Sequence, residues 1–128
     1  MGGFFIFKDI LGDQMSDSIF TKIINKEIKS DIIYEDDLVV AFKDVNPQAP
    51  VHVLIVPRNP IPTINDLGED DTALIGRIIL TAKKLAKQFN LSERGYRLVM
   101  NCNEEGGQTV FHLHCHLLGG RYFSWPPG

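Results

Sequence analysis

The fold is decided by the stretch Val110-Phe111-His112-Leu113-His114-Cys115-His116-Leu117-Leu118, which carries three of the four histidines of the chain. These histidines are spaced strictly i, i+2, i+4, and a β-strand sends alternate side chains to opposite faces. We therefore predict a strand over residues 108–118 that has three imidazoles on one face and Leu113, Cys115 and Leu117 in the core. Imidazole exchanges protons near neutral pH, so the histidine face is predicted to carry the chemistry.

Outward from this strand, the chain is predicted to form an antiparallel α+β domain. Asp17-Ser18 can cap a short helix, and a second helix follows from apolar residues spaced three and four apart. Hairpin-length connections and a late strand pair favour antiparallel pairing. The predicted helices are Ile19–Glu27 and Asp70–Phe89, and the further strands are Ile32–Tyr34, Leu38–Lys43, Val51–Val56 and Tyr96–Asn101. The segment Pro57–Pro62 cannot be a ladder strand, since its three prolines lack N–H donors.

Composition excludes several classes of protein. A length of 128 residues predicts one domain, and a net charge of −3 argues against nucleic acid and anionic membranes as partners. The two cysteines are not in a C-x-x-C pair, so a structural zinc site is not expected. No apolar run approaches the roughly 20 residues of a membrane span. Residues 1–15 are predicted to be a disordered extension before a domain over residues 16–128, with a partner-binding or lipid-binding arm as the alternative.

Three explanations of the triad differ in what they require physically. Burying three polar rings for structure alone costs several kcal/mol unless each ring finds a partner. A metal site built from two neighbouring histidines and His52 is disfavoured, because His112 and His116 would lie about 13 Å apart on a strand. Covalent catalysis on phosphorus is favoured: a neutral imidazole is a good nucleophile, and packed histidines keep one another partly neutral. The central His114 is the natural attacking group.

The loop before the histidine strand supports a phosphate substrate. Gly106-Gly107-Gln108-Thr109 brings backbone N–H groups and a hydroxyl next to the triad. Two glycines allow the chain to approach an anion closely. Asn101, one strand away, offers an uncharged donor. With a net charge of −3, phosphate binding would depend on oriented dipoles rather than on lysines.

The motif His112-Leu113-His114-Cys115-His116-Leu117-Leu118 resembles the signature of the histidine-triad (HIT) family. Further segments resemble its HINT branch: Ser18–Ile24, Glu35-Asp36-Asp37, Phe42-Lys43-Asp44, Pro47–His52, Gly106-Gly107-Gln108, Gly119-Gly120-Arg121 and Trp125-Pro126-Pro127-Gly128. The resemblance implies a HIT-like five-stranded antiparallel sheet with one long and one short helix, dimerising into a ten-stranded sheet. It also implies a metal-independent hydrolase without a cofactor. Its ligands would be purine nucleoside monophosphates, and its substrates nucleoside phosphoramidates, such as adenosine monophosphate linked to an amine or lysine.

The resemblance also assigns roles to individual residues. His114 would be the nucleophile that is transiently nucleotidylated, His116 would contact the α-phosphate, and His112 with His52 would support the histidine network. The nucleotide site would include Asn101, Gly107, Gln108 and Thr109 around the phosphate, Asp44 on the ribose hydroxyls, and Ile19, Phe20, Ile23, Phe42 and Val45 around the base. Trp125 would reach the site of the partner subunit. Pro60 stands where many relatives carry an outer histidine.

Three questions stay open at the level of sequence. The alternative to an enzyme is a nucleotide-binding scaffold whose turnover is incidental. The expected location is the cytoplasm, with the nucleus as a second location. The sequence does not predict whether adenine or guanine is preferred. An apolar slot recognises the shape of a base and offers few groups that could distinguish its polar substituents.

Overall fold

The computed structural model describes residues 18–128, in which five strands form one antiparallel sheet with a helix on each face. The strands are β1 (Ile32–Glu35), β2 (Val39–Lys43), β3 (Val51–Pro57), β4 (Tyr96–Val99) and β5 (Cys115–Gly119), and the helices are α1 (Ile19–Ile24) and α2 (Thr72–Gln88). The strand order is β1-β2-β3-β5-β4, and every neighbouring pair is antiparallel. The predicted α+β class, with one long and one short helix, is confirmed. The extension predicted over residues 1–15 lies outside the described residues.

Both faces of the central strands are buried, each under its own helix. Because side chains alternate along a strand, successive residues of β2 and β3 enter two separate cores. The core under α2 contains Val39, Ala41, Val53, Ile55, Ile78, Ala82 and Leu85. The core under α1 contains Phe20, Ile23, Ile24, Val40, Phe42, Leu54 and Val56. This double burial explains why β2 and β3 read as nearly continuous apolar runs.

The last strand and the residues before it divide their side chains between these two faces. Leu113, Cys115 and Leu117 are fully buried in the core under α2, as the alternation predicted. The three histidines of the triad therefore point to the opposite face, where α1 lies. The apolar side chains of this segment thus pack in the core, while its imidazoles lie on the opposite side.

The regular strand is shorter than predicted, and the prediction of strand over residues 108–114 is wrong. β5 begins only at Cys115. Its partner β3 ends at Pro57, and the proline-rich segment that follows cannot supply a ladder of N–H donors. One backbone bond, from Leu113 N–H to the Ile61 carbonyl at 2.7 Å, ties the two segments together instead.

Other boundaries also move inward for local reasons. Helix α1 ends at Ile24 rather than Glu27, because Lys26 takes a left-handed conformation with φ of 62°. Strand β4 ends at Val99 rather than Asn101, since its last partner on β5 is His116. Among the described residues, no helix combines the length and the apolar character needed to cross a bilayer.

The turn between β1 and β2 is organised by the carboxylate of Asp36. One of its oxygens accepts the N–H groups of Leu38 and Val39 at 2.8 and 2.9 Å. The other accepts the Tyr34 hydroxyl at 2.8 Å and the Arg77 guanidinium of α2 at 2.9 Å. Burial alone would raise the pKa of Asp36, but these hydrogen bonds hold it well below its ordinary value.

Candidate active site

A cavity of about 310 Å³ lies between α1, the end of β2, the middle of β3 and the residues around the start of β5. Its lining consists of Ile19, Phe20, Ile23, Ile28, Lys29, Ser30, Phe42, Lys43, Asp44, Val45, Leu54, Thr109, Val110, His114 and His116. The lining combines an apolar slot with a polar end formed by the Asp44 carboxylate and two imidazoles. Two hydroxyl side chains and two lysines also line the cavity. Nine of these residues belong to the predicted site: Ile19, Phe20, Ile23, Phe42, Asp44, Val45, Thr109, His114 and His116.

The cavity also contains residues that sequence reasoning missed. Leu54 lies between Phe42 and His116 in the register of β2, β3 and β5, so strand pairing would have identified it. Lys43 directly follows Phe42, and Val110 follows Thr109. The remaining group, Ile28, Lys29 and Ser30, comes from the turn after α1, where no motif or periodicity pointed to a site.

His114 presents an unprotonated ring nitrogen to this cavity. Its Nδ1 lies 2.7 Å from the backbone carbonyl of His112, which can only accept, so Nδ1 carries the proton and Nε2 keeps its lone pair. The Phe20 and His114 rings pack edge to face, with 4.9 Å between ring centroids. Burial lowers the pKa of His114, partly opposed by its bond to the His112 carbonyl and by Asp44. The ring is therefore neutral and oriented at pH 7.

His116 and His52 form a pair whose tautomers are fixed by the backbone. The Gln48 N–H donates to His52 Nδ1 at 3.0 Å, so the neutral ring of His52 carries its proton on Nε2. That nitrogen lies 2.9 Å from His116 Nδ1, which must accept, and the proton of His116 is then on Nε2. Burial and the neighbouring His114 and His52 lower the pKa of His116 to about 4, against a smaller opposing effect of Asp44.

Asp44 lies beside this pair at the polar end of the cavity. One carboxylate oxygen is 3.5 Å from His52 Nε2, and the other accepts the Asn46 N–H at 2.8 Å. Burial lowers the pKa of His52, and Asp44 opposes that shift. Each of the two carboxylate oxygens has further lone pairs for a ligand.

Asp44, His52 and His116 are also close enough to be considered as metal ligands. Their ligand atoms all lie within 4.8 Å of one another. However, His52 Nδ1 already accepts the Gln48 N–H, so the nitrogen that faces the other two groups is the protonated Nε2. A metal ligand must present a lone pair, so this donor set fits a hydrogen-bonded relay better than a cation.

His112 occupies a different environment from the other two triad residues. It is fully buried, and its Nε2 donates to the Pro57 carbonyl at 2.8 Å. Its Nδ1 is within hydrogen-bond distance of the Ser18 and Thr21 hydroxyls, at 3.1 and 3.3 Å. Burial lowers the pKa of His112, and the Pro57 carbonyl opposes that shift. With both nitrogens engaged, His112 connects α1 to the end of β3 and does not line the cavity.

Gln108 also lies away from the cavity lining. Its side-chain oxygen accepts the Asn103 N–H at 2.8 Å, and its amide nitrogen donates to the carbonyls of Pro62 and Val110 at 2.8 and 3.1 Å. The buried amide therefore holds together the loop that precedes the triad. A Cβ at Gly106 would lie 2.5 Å from the Cys102 carbonyl oxygen, which explains glycine at that position.

Three further predicted residues do not meet at the cavity of this chain. Asn101 and Gly107 are absent from its lining, and Gly107 takes a φ of 85°. Trp125 is 82% exposed on the C-terminal tail.

Comparison with known proteins gives the same family from sequence and from structure. The family model described as HIT domain matches residues 25–123. The protein named purine nucleoside phosphoramidase of Escherichia coli K12 is 55% identical over 105 residues, which are 82% of this chain and 88% of that protein. A HIT-like protein of Synechocystis is 56% identical over 112 residues, covering 88% of this chain and 97% of the relative.

Solved structures resemble the fold over the same region. The HIT family hydrolase of Legionella pneumophila has a TM-score of 0.86 and 52% identity, covering 88% of this chain and all of that one. A histidine triad protein of Clostridium difficile has a TM-score of 0.82 and 40% identity, covering 87% of this chain and 96% of that one. With a matching family model and relatives of this identity and coverage, the chain belongs to the HIT domain family.

Proposed function

We propose that this protein hydrolyses the P–N bond of purine nucleoside phosphoramidates, without a metal, through a nucleotidyl intermediate on His114. The observation that carries the proposal is the oriented lone pair of His114 Nε2 in a cavity that combines an apolar slot with polar groups. Two relatives support hydrolysis as the activity: the HIT family hydrolase of Legionella pneumophila and the purine nucleoside phosphoramidase of Escherichia coli K12.

The proposed reaction has two steps that share one nucleophile. His114 Nε2 attacks phosphorus, the new N–P bond forms, and the P–N bond of the substrate breaks as the amine leaves with a proton taken from water, which the hydrolysis in the second step returns. Water then breaks the bond between His114 and phosphorus, which releases the nucleoside monophosphate. During the first step the imidazole becomes cationic, and its Nδ1–H bond to the His112 carbonyl stabilises that charge.

The other polar groups are proposed to bind the nucleotide. The Nε2–H of His116, fixed by the bond at Nδ1, is available to donate to a phosphate oxygen. Thr109 lines the same cavity and offers a hydroxyl, and the carboxylate of Asp44 can accept from two ribose hydroxyls. The base would lie in the apolar slot, between the side chains of α1 and those of Phe42 and Leu54.

The proposal is tested by amine release from an adenosine phosphoramidate after the protein is treated with a chelator. We expect turnover to be unchanged by the chelator, because the nucleophile is a neutral imidazole and the relay needs no cation. The matched measurement adds zinc after the chelator has been removed. Activity that disappears with the chelator and returns with zinc would contradict the metal-independent mechanism.

We further propose that two chains join along β4 to form a ten-stranded sheet. β4 is an edge strand, which offers unpaired backbone groups to a second copy, and the tail that carries Trp125 could then reach the partner's site. Sedimentation is expected to give twice the chain mass of 14.4 kDa.

Trp125→Ala is expected to keep the dimer and weaken substrate binding. A monomer mass that does not change with concentration would contradict this arrangement.

A further inference from the structure

The start of the C-terminal tail contacts the loop that sets the tautomers of the active-site relay. Arg121 Nε donates to the Gln48 carbonyl at 3.0 Å, and its Nη1 donates to the Tyr122 carbonyl at 3.1 Å. The guanidinium also lies over the Phe123 ring, 4.3 Å from its centroid. Three contacts therefore hold this guanidinium in one position, although the side chain lies at the surface.

The backbone of the tail approaches the same loop closely. Gly120 has a φ of 95°, and a Cβ there would lie 2.8 Å from Pro50 Cβ. The chain thus needs glycine at this position both for its conformation and for its contact with Pro50. Gly120 and Arg121 together support the loop from Asp44 to Pro50 at two points.

Gln48 is the connection between the tail and the histidines. Its carbonyl accepts from Arg121, while its N–H donates to His52 Nδ1 at 3.0 Å. His52 Nε2 in turn lies 2.9 Å from His116 Nδ1. A continuous hydrogen-bonded path therefore runs from the surface guanidinium to the imidazole that lines the cavity.

We propose that Arg121 is a positioning residue, which fixes Gln48 and thereby holds His52 and His116 in the tautomers that leave the His116 proton on Nε2. The two neutral tautomers of a histidine differ little in energy in water, so the partner at Nδ1 decides between them. If Gln48 moves away, His52 can carry its proton on Nδ1. Its Nε2 then accepts, His116 Nδ1 must donate, and His116 Nε2 loses the proton offered to phosphate.

The test compares four arginine variants in the full-length protein. Arg121→Met removes the contact with Gln48. Arg97→Met is the matched control, because Arg97 anchors the same tail through the Ser124 carbonyl at 3.1 Å and the Phe123 ring at 5.0 Å without contacting Gln48. Arg94→Met removes a second arginine from the surface depression that Arg121 also lines. Long-range ¹H–¹⁵N spectra of the imidazoles report the tautomers without any substrate.

We expect the wild type and both controls to show His52 and His116 protonated on Nε2, and Arg121→Met to show mixed tautomers. For an adenosine phosphoramidate, Arg121→Met should lower kcat about threefold to tenfold, the effect of one weakened hydrogen bond, with little change in KM. Arg121→Lys should recover part of this loss, since its ammonium can still donate to Gln48.

Ring spectra of Arg121→Met that match the wild type would overturn the inference, and so would Arg97→Met reproducing the shift. The catalytic part of the inference rests on the proposed function, whereas the tautomer part does not. A wild-type protein that releases no amine, with ring spectra that still respond to Arg121→Met, would refute the proposed reaction and leave the positioning of the relay supported.

Discussion

Replacing His114 with alanine is expected to lower kcat/KM for an adenosine phosphoramidate by at least about 10⁴-fold, as removal of a nucleophile does in covalent catalysis. Its Nε2 lone pair is the group proposed to form the bond to phosphorus, and its tautomer is set by the 2.7 Å bond to the His112 carbonyl. Mass spectrometry during turnover should detect a nucleotidyl group on His114 in the wild type and no such adduct in the variant.

The matched control is Cys115→Ala, which truncates the next residue on the opposite face of the same segment. Cys115 is fully buried under α2, so its loss should lower the free energy of unfolding by about 1 kcal/mol and preserve turnover. Binding of adenosine monophosphate to His114→Ala should persist, because the base slot is unchanged. Full activity in His114→Ala would end the covalent mechanism.

Asp36→Ala is expected to destabilise the fold by about 2–4 kcal/mol, the largest loss that we expect from a change away from the cavity. The substitution leaves the N–H groups of Leu38 and Val39 without their acceptor and frees the Arg77 guanidinium of α2. The control is Asp37→Ala, since that carboxylate is 84% exposed and makes one longer contact with Arg77 at 3.4 Å. We expect the control to change the free energy of unfolding by about 0.5 kcal/mol or less.

The same carboxylate predicts how stability depends on pH. Its pKa is lower in the folded protein than in the unfolded chain, so its contribution is complete above the unfolded pKa and is lost as pH falls. Urea unfolding from pH 7 to pH 3 should therefore show a steeper acid loss in the wild type than in Asp36→Asn. Equal slopes in the two proteins would show that Asp36 is not the group responsible.

The spacing of apolar residues predicts most of the helices and strands, because that spacing follows from which side chains are buried. Spacing alone predicts Leu113, Cys115 and Leu117 in the core, and they lie in it. The same reasoning failed for residues 108–114, because a strand also needs a partner with free donors. The prolines that follow β3 remove those donors, which is a property of a segment 50 residues away in sequence.

Sequence could predict a site residue where its side chain has a known reactivity, as histidine does. It could not predict a residue's role where that role depends on a hydrogen bond formed only in the fold. His114 and His116 could be chosen from their spacing, but their tautomers depend on a carbonyl and on Gln48. Gln108 has the character of a ligand-binding amide, yet all of its contacts are with loop backbone. Ser30 lines the cavity from a turn that carries no signature, and only the fold brings it there.

The division of Leu113–Leu117 between two faces has a consequence for how this gene can change. Insertion or deletion of a single codon within that segment would shift the alternation by one residue. Imidazoles would then face the hydrophobic core under α2, and aliphatic side chains would face the cavity. The damage would be simultaneous to folding and to turnover, so no compensating substitution elsewhere could restore one without the other. The alternation therefore fixes the number of residues in this segment.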